Sequence, residues 1–164
     1  MRLLMITSDW PRAPARPSPS PQSPRPSPAP LPSSPVKRQA EALQAAGFRV
    51  EIFAFRGRNF YNYAAAWTRL RPRLHPGRYD VVHAQDASTV LLALPKRVPL
   101  VVSLEKRHWL AWFWAWRADA VIVPSEEIGR TLGTRTPVHV IPPDTDEQTR
   151  TERLGDVYHG VLAS

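Results

Sequence analysis

Three short apolar runs set the terms for everything else in this chain. They occupy residues 81–84, 98–104 and 118–123 and recur at similar intervals. The first is Val81, Val82, His83 and Ala84, held between Tyr79-Asp80 on one side and Gln85-Asp86 on the other. A β-branched centre with polar ends reads as a buried strand of a parallel sheet, covered on both faces. Plausible helices separate the runs. Strand, helix, strand, helix is the signature of an α/β fold with a mostly parallel sheet. In open sheets of this class, ligands sit outside the carboxyl ends of the strands. His83, Gln85 and Asp86 are therefore substrate-binding candidates. A lone strand histidine is nevertheless more often part of a structural hydrogen-bond network than a catalyst.

Residues 2–7 read as a first strand, continuously apolar after Arg2. Ser8 and Asp9 lie at its carboxyl end and join the substrate-binding candidates, although the pair also fits a plain turn. Residues 11–35 then hold eleven of the nineteen prolines, mixed with serine, alanine and arginine. Proline lacks an amide donor and disfavours helix in the residue before it, so this segment reads as a disordered, extended loop of polyproline II character. Such composition also suits docking into an aromatic groove.

Residues 36–46 form an amphipathic helix, with Val36, Ala40 and Leu43 on one face and Gly47 in the capping position. Residues 48–55 alternate as a strand. Phe60, Tyr63, Trp67, Leu70 and Leu74 then mark the apolar face of a further helix that ends near Pro72 and Gly77. Arg56, Arg58, Arg69, Arg71, Arg73 and Arg78 flank it, and read as a solvated basic face. A short helix at 87–94 leads to the 98–104 strand.

Next, four tryptophans fall within the eight residues 109–116. Trp109, Trp112, Phe113 and Trp116 share a helical face, and Trp114 does not. The default reading of such a stripe is core packing. Beside Lys106, Arg107 and Arg117 it also fits a helix in a membrane interface, with Trp109, Trp112, Trp116 and Arg107 as contacts. After the 118–123 strand, Ser125 can cap a helix whose first turn carries Glu126 and Glu127. Residues 138–141 give a short strand, and Leu154, Val157, Tyr158 and Val161 line one side of a last helix.

The 164 residues suffice for one domain with a real core. The chain has no cysteine, which excludes disulfides, thiolate metal sites and thiol nucleophiles, and suits a cytosolic protein. The net charge of +8 favours anionic partners without choosing among them. The apolar start is too short for a signal peptide, and no run reaches the ~18 residues of a spanning helix. Glycine-rich phosphate loops, H-E-x-x-H pairs and a G-x-S-x-G elbow are all missing, and no metal-ligand spacing is evident.

The ordered set of segments resembles the amino-terminal half of family-four, GT-B type glycosyltransferases. The resemblance is carried by residues 1–10, the helix 36–43, Gly47-Phe48-Arg49-Val50, and residues 79–84, 98–103, 117–127 and 138–142. It implies a Rossmann-like domain over 1–146 that holds a sugar or lipid-linked acceptor. The reaction implied is a retaining transfer from a nucleotide sugar, which is a substrate; no cofactor is implied. Glu105 and Lys106 stand where the family usually carries histidine then glycine, or arginine and glycine. That position makes Glu105 the catalytic candidate and Lys106 a substrate-binding one, without the family's own residues. The proline-serine run replaces the family's glycine-containing loop, and two glutamates separated by seven residues do not occur. Residues 147–164 resemble the final helix that crosses back onto the amino-terminal half.

The expectation is one α/β Rossmann-like domain, its mostly parallel sheet flanked by helices and a C-terminal helix packing back on it. By itself it should be an incomplete or inactive acceptor domain that needs a donor-domain chain, cytoplasmic or peripheral on the inner face of the membrane. The alternative is a non-catalytic module that uses the Trp-rich basic helix on an anionic membrane surface or a protein. Nucleic acid ranks last, because the arginine block lacks aromatics interleaved on an exposed face.

Overall fold

The computed structural model describes residues 1–8, 34–55, 59–104 and 111–164, with the backbone alone at Ala111 and Trp112. Six strands build one sheet: β1 (Arg2–Thr7), β2 (Arg49–Ala54), β3 (Val81–Ala84), β4 (Leu100–Ser103), β5 (Ala120–Val123) and β6 (Val138–Val140). Their order is β2-β1-β3-β4-β5-β6, and every neighbouring pair is parallel. The helices are α1 (Pro35–Ala45), α2 (Phe60–Leu70), α3 (Ala111–Arg117), α4 (Glu126–Thr131) and α5 (Glu147–Ala163). A 3-10 turn, Arg71–Arg73, extends α2, and a 3-10 helix, Ala87–Ala93, joins β3 to β4. The fold is the expected Rossmann-like α/β domain with a C-terminal helix.

Alternation along the strands divides the core in two. Leu3, Met5, Val81 and Val101 face Leu43 of α1 and Leu154, Val157 and Tyr158 of α5. Leu4, Ile6, Val82 and Val102 face Ala66 and Leu70 of α2, Val90 and Leu92 of the 3-10 helix, and Trp114 of α3. From β1 the chain passes to β2 on one side and then crosses to β3 on the other. The carboxyl ends of β1 and β3 therefore flank the point where strand order reverses, the crevice that serves as a ligand site in sheets of this kind.

Local chemistry sets the helix ends. Ser34 Oγ accepts from Lys37 N at 3.2 Å and Pro35 opens α1. Gly47, at φ 90°, closes it, while Phe48 N donates to Leu43 O at 3.0 Å. The left-handed backbone at Gly47 is why a glycine stands there. α5 starts on Asp146, whose side chain accepts from Thr149 N at 2.9 Å.

Two expectations about aromatics are corrected. Phe60 belongs to no apolar face; it is 81% exposed, because α2 seats on the sheet through Ala66 and Leu70. Within the tryptophan stripe, Phe113 packs partly buried against the core but Trp116 is 67% exposed, whereas Trp114, which the stripe omits, is 7% exposed. Small residues decide this. Ala115 and Ala118 are buried and let α3 approach β4, and their side of the helix carries Trp114 inward. The proline-rich 11–35 loop, Arg56, Arg58, Arg107 and Trp109 fall on residues outside the described ones, apart from Ser34 and Pro35, as does the side chain of Trp112.

Candidate functional site

The reversal crevice gathers Ser8, Gln85 and Asp86. Gln85 N donates to Ile6 O at 3.0 Å, which holds the exit of β3 against the exit of β1. Asp86 then leaves the strand with φ −152° and ψ 163° and caps the 3-10 helix. Its Oδ1 accepts from Ser88 N at 2.8 Å and Thr89 N at 3.0 Å, and from Ser88 Oγ. Thr89 Oγ1 completes the capping box by accepting from Asp86 N at 3.4 Å. Asp86 Oδ2 accepts from Ser8 Oγ at 2.9 Å. A carboxylate offers about four acceptor positions, two per oxygen. Among the described residues Oδ1 has three donors and Oδ2 has one, so Oδ2 has room there for a further donor. A substrate hydroxyl is such a donor.

His83 does not open onto this crevice. It is fully buried on the α5 side of the sheet. Its Nδ1 lies 2.7 Å from Tyr158 Oη and its Nε2 lies 2.8 Å from Ser103 Oγ. Gln85 Nε2 approaches the same Nδ1 at 3.3 Å. The tautomer that satisfies all three contacts carries its proton on Nε2, donating to Ser103 and accepting at Nδ1. Burial drives the imidazole pKa down from 6.5 to about 3, so the ring is neutral. Burial also pushes the Tyr158 hydroxyl far up, so it stays protonated. The cluster cross-links α5, β3 and the end of β4, and it holds the Gln85 amide from below. Tyr158 and Ser103 did not stand out as site residues in the sequence. A tyrosine inside an apolar helical stripe was the available signal, since a buried hydroxyl needs a partner.

Asp9, Glu105 and Lys106 lie outside the described residues. Glu105 and Lys106 follow Leu104, just past β4, and Asp9 follows Ser8, just past β1. Among the described residues no group of three His, Asp or Glu could hold a metal ion, and no helix is long and apolar enough to cross a membrane. Two concavities lie elsewhere. One of about 720 Å³ is lined by Trp67, Leu91, Leu94, Trp116 and Arg117. The other, about 490 Å³, lies at the amino ends of β1 and β2 around Arg2, Phe48 and Tyr79.

A search of curated proteins returned no match. Among solved structures, a sucrose-phosphate synthase chain from Thermosynechococcus elongatus superposes with a TM-score of 0.69 at 13% identity. The match covers 99% of this chain and 99% of that one, and at such identity it speaks to the fold alone. The sequence model of Glycosyltransferase Family 4 matches residues 56–148, more than half of the chain. That stretch runs from the entry of α2 through Gln85 and Asp86 and strands β3 to β6 to the start of α5, and the chain belongs to glycosyltransferase family 4.

Proposed function

We propose that this chain is the acceptor-side domain of a retaining, nucleotide-sugar-dependent glycosyltransferase. One observation carries the reading: Ser8 and Asp86 meet at 2.9 Å at the point of strand reversal, with acceptor capacity left on Asp86 Oδ2 among the described residues. The group to be glycosylated is a hydroxyl, and Asp86 Oδ2 and the Gln85 amide are matched to bind one. His83 positions Gln85 and takes no proton, because its buried ring is neutral and both nitrogens are engaged. Glu105 and Lys106, which follow β4 in the sequence, are the further candidates of this reading. In this reading residues 1–146 hold the acceptor and residues 147–164 brace them.

Departure of a nucleoside diphosphate puts charge on the leaving group, and catalysis needs donors preorganised around it. The described residues supply one sheet and one crevice edge. The donor therefore binds to a second unit facing this edge, within the same polypeptide or on another chain. The test is NMR titration with a panel of glycans and glycolipid headgroups. A matching acceptor should shift the amides of Gln85, Asp86 and Ser88, and Asp86→Ala should weaken its binding by about tenfold, the loss of one charge-assisted hydrogen bond. Shifts confined to other surfaces would defeat the assignment. Sugar transfer by the described domain alone would defeat the requirement for a second unit.

A further inference from the structure

Exposed apolar side chains and unbalanced charge collect on one layer of this molecule. Among the described residues, the large hydrophobics that stand out in solvent are Phe60, Tyr61, Leu91, Trp116 and Leu162. The first four lie on α2, the 3-10 helix and α3, which cover the same side of the sheet. Residues 60–73, 87–97 and 111–117 of that layer contain six Lys or Arg and no Asp or Glu; two of the six are paired with acids beyond these segments, Arg73 with Glu51 and Lys96 with Asp119. The opposite layer is balanced: α1 and α5 together carry four Lys or Arg and four Asp or Glu. α4 shares the first side, but it packs by β5 and β6 with Glu126 and Glu127 in its first turn.

The cations are set on the aromatics. The Arg71 guanidinium carbon lies 4.6 Å from the Trp67 ring centroid, and that of Arg117 lies 5.1 Å from Trp116. Between Trp67 and Trp116 runs the 720 Å³ groove, with Leu91 on its wall. Arg69 and Arg97 are exposed nearby and make no ion pair among the described residues, whereas Lys96 is held by Asp119 at 2.8 Å. Indoles with an apolar body and a polar edge settle at the headgroup level of a bilayer, and arginines beside them meet the phosphates.

We infer that the α2–α3 face docks on an anionic lipid surface, with Trp116 and Leu91 entering the headgroup region and Arg71, Arg97 and Arg117 neutralising it. Charge complementarity selects the partner. A neutral apolar partner leaves Arg69, Arg71, Arg97 and Arg117, which make no ion pair among the described residues, unmatched, and the proline-rich segment of this chain carries arginines of the same sign. α2 runs antiparallel to the strands, so Phe60 and Tyr61 sit where this face meets the crevice edge. Docking leaves that edge open beside the membrane. The inference does not depend on the transferase reading, and either can fail without the other.

The test is flotation of the full chain with vesicles of phosphatidylcholine alone or with one third phosphatidylglycerol. Binding should require phosphatidylglycerol and fall with added salt. Each cation neutralised should weaken it roughly fivefold, and a reversal such as Arg117→Glu or Arg97→Glu more than that. Trp116→Glu should also abolish flotation, while Arg153→Glu on α5 should leave it unchanged. Circular dichroism of each variant separates lost binding from lost folding. Equal binding to both vesicle types, equal loss from Arg153→Glu, or retention of a single-stranded oligonucleotide without vesicle binding would overturn the inference.

Discussion

At the residue scale, the Tyr158–His83–Ser103 cluster decides more than its size suggests. Three polar groups sit between apolar layers, and each must find its partner there because water is excluded. Tyr158→Phe keeps the ring contact with Phe48 (centroids 6.1 Å apart) and removes the hydroxyl from His83. The expected cost is about 1–3 kcal/mol, the range for leaving a buried group short of a hydrogen bond, read by urea denaturation at neutral pH. His83 adds a pH signature. Burial lowers its pKa from the ordinary 6.5 to about 3, so between those values the unfolded chain binds a proton that the native state refuses. Stability from this group is present above 6.5 and drains away as pH falls toward 3. The slope is about 1.4 kcal/mol per pH unit. Denaturation series across this window should show that slope, and His83→Gln should flatten it. An unchanged slope in the variant would show that other groups carry the acid sensitivity.

At the element scale, α5 behaves as part of the core. Leu154, Val157 and Tyr158 are buried against β1, β3 and α1, and Gly155 lets Phe48 approach, with Phe48 Cζ 3.4 Å from where a Cβ would stand. Removing residues 147–164 uncovers Met5, Val81, Leu43 and the polar His83 together. The truncated chain should lose its cooperative thermal transition or melt at a much lower temperature; an unaltered transition in calorimetry would show that α5 only rests on the surface. A second device is the Asp86 cap. Asp86→Ala should cost about 0.5–2 kcal/mol, the usual loss of a cap, and should release Ser8 as well. How much of this was legible follows from the physics of each signal. Most strands were readable as short continuous apolar runs, the 48–55 strand by alternation and α5 by its 3.6 period, because each pattern reports burial directly. α3 was misread because its inward face is chosen by Ala115 and Ala118, and alanine contributes little to an amphipathic pattern dominated by indoles. The Ser8–Asp86 pair was legible only as two residues at two strand ends. Their contact depends on β1 and β3 being neighbours, which is a property of strand order. His83 was placed on the crevice wall because it lies on the same strand, but alternation turns it toward α5, a helix that arrives 75 residues later.

At the scale of the whole molecule, the sheet has a graded interior. β1, β3 and β5 are buried almost throughout, β4 nearly so, and the outer strands β2 and β6 are half-covered. β6 is three residues long and pairs on one side only. β2 is shielded by charge: Glu51 on this edge pairs with Arg78 at 3.4 Å and Arg73 at 3.7 Å, and Arg49 is exposed, which deters pairing with another chain. The crevice between β1 and β3 is therefore built on the best-covered part of the sheet. Hydrogen exchange should follow this gradient, since amides that open only with the whole fold exchange at its full free energy and edge amides open locally. The β3 amides of Val82 and Ala84 and the Gln85 amide bonded to Ile6 O should be among the slowest, and the amides of β6 should be much faster. Adding an acceptor that binds the crevice should slow exchange at Asp86 and Ser88 without changing β6. Uniform protection from β2 to β6 would mean that the domain opens as one unit, and that the firm footing of the crevice is shared by the entire sheet.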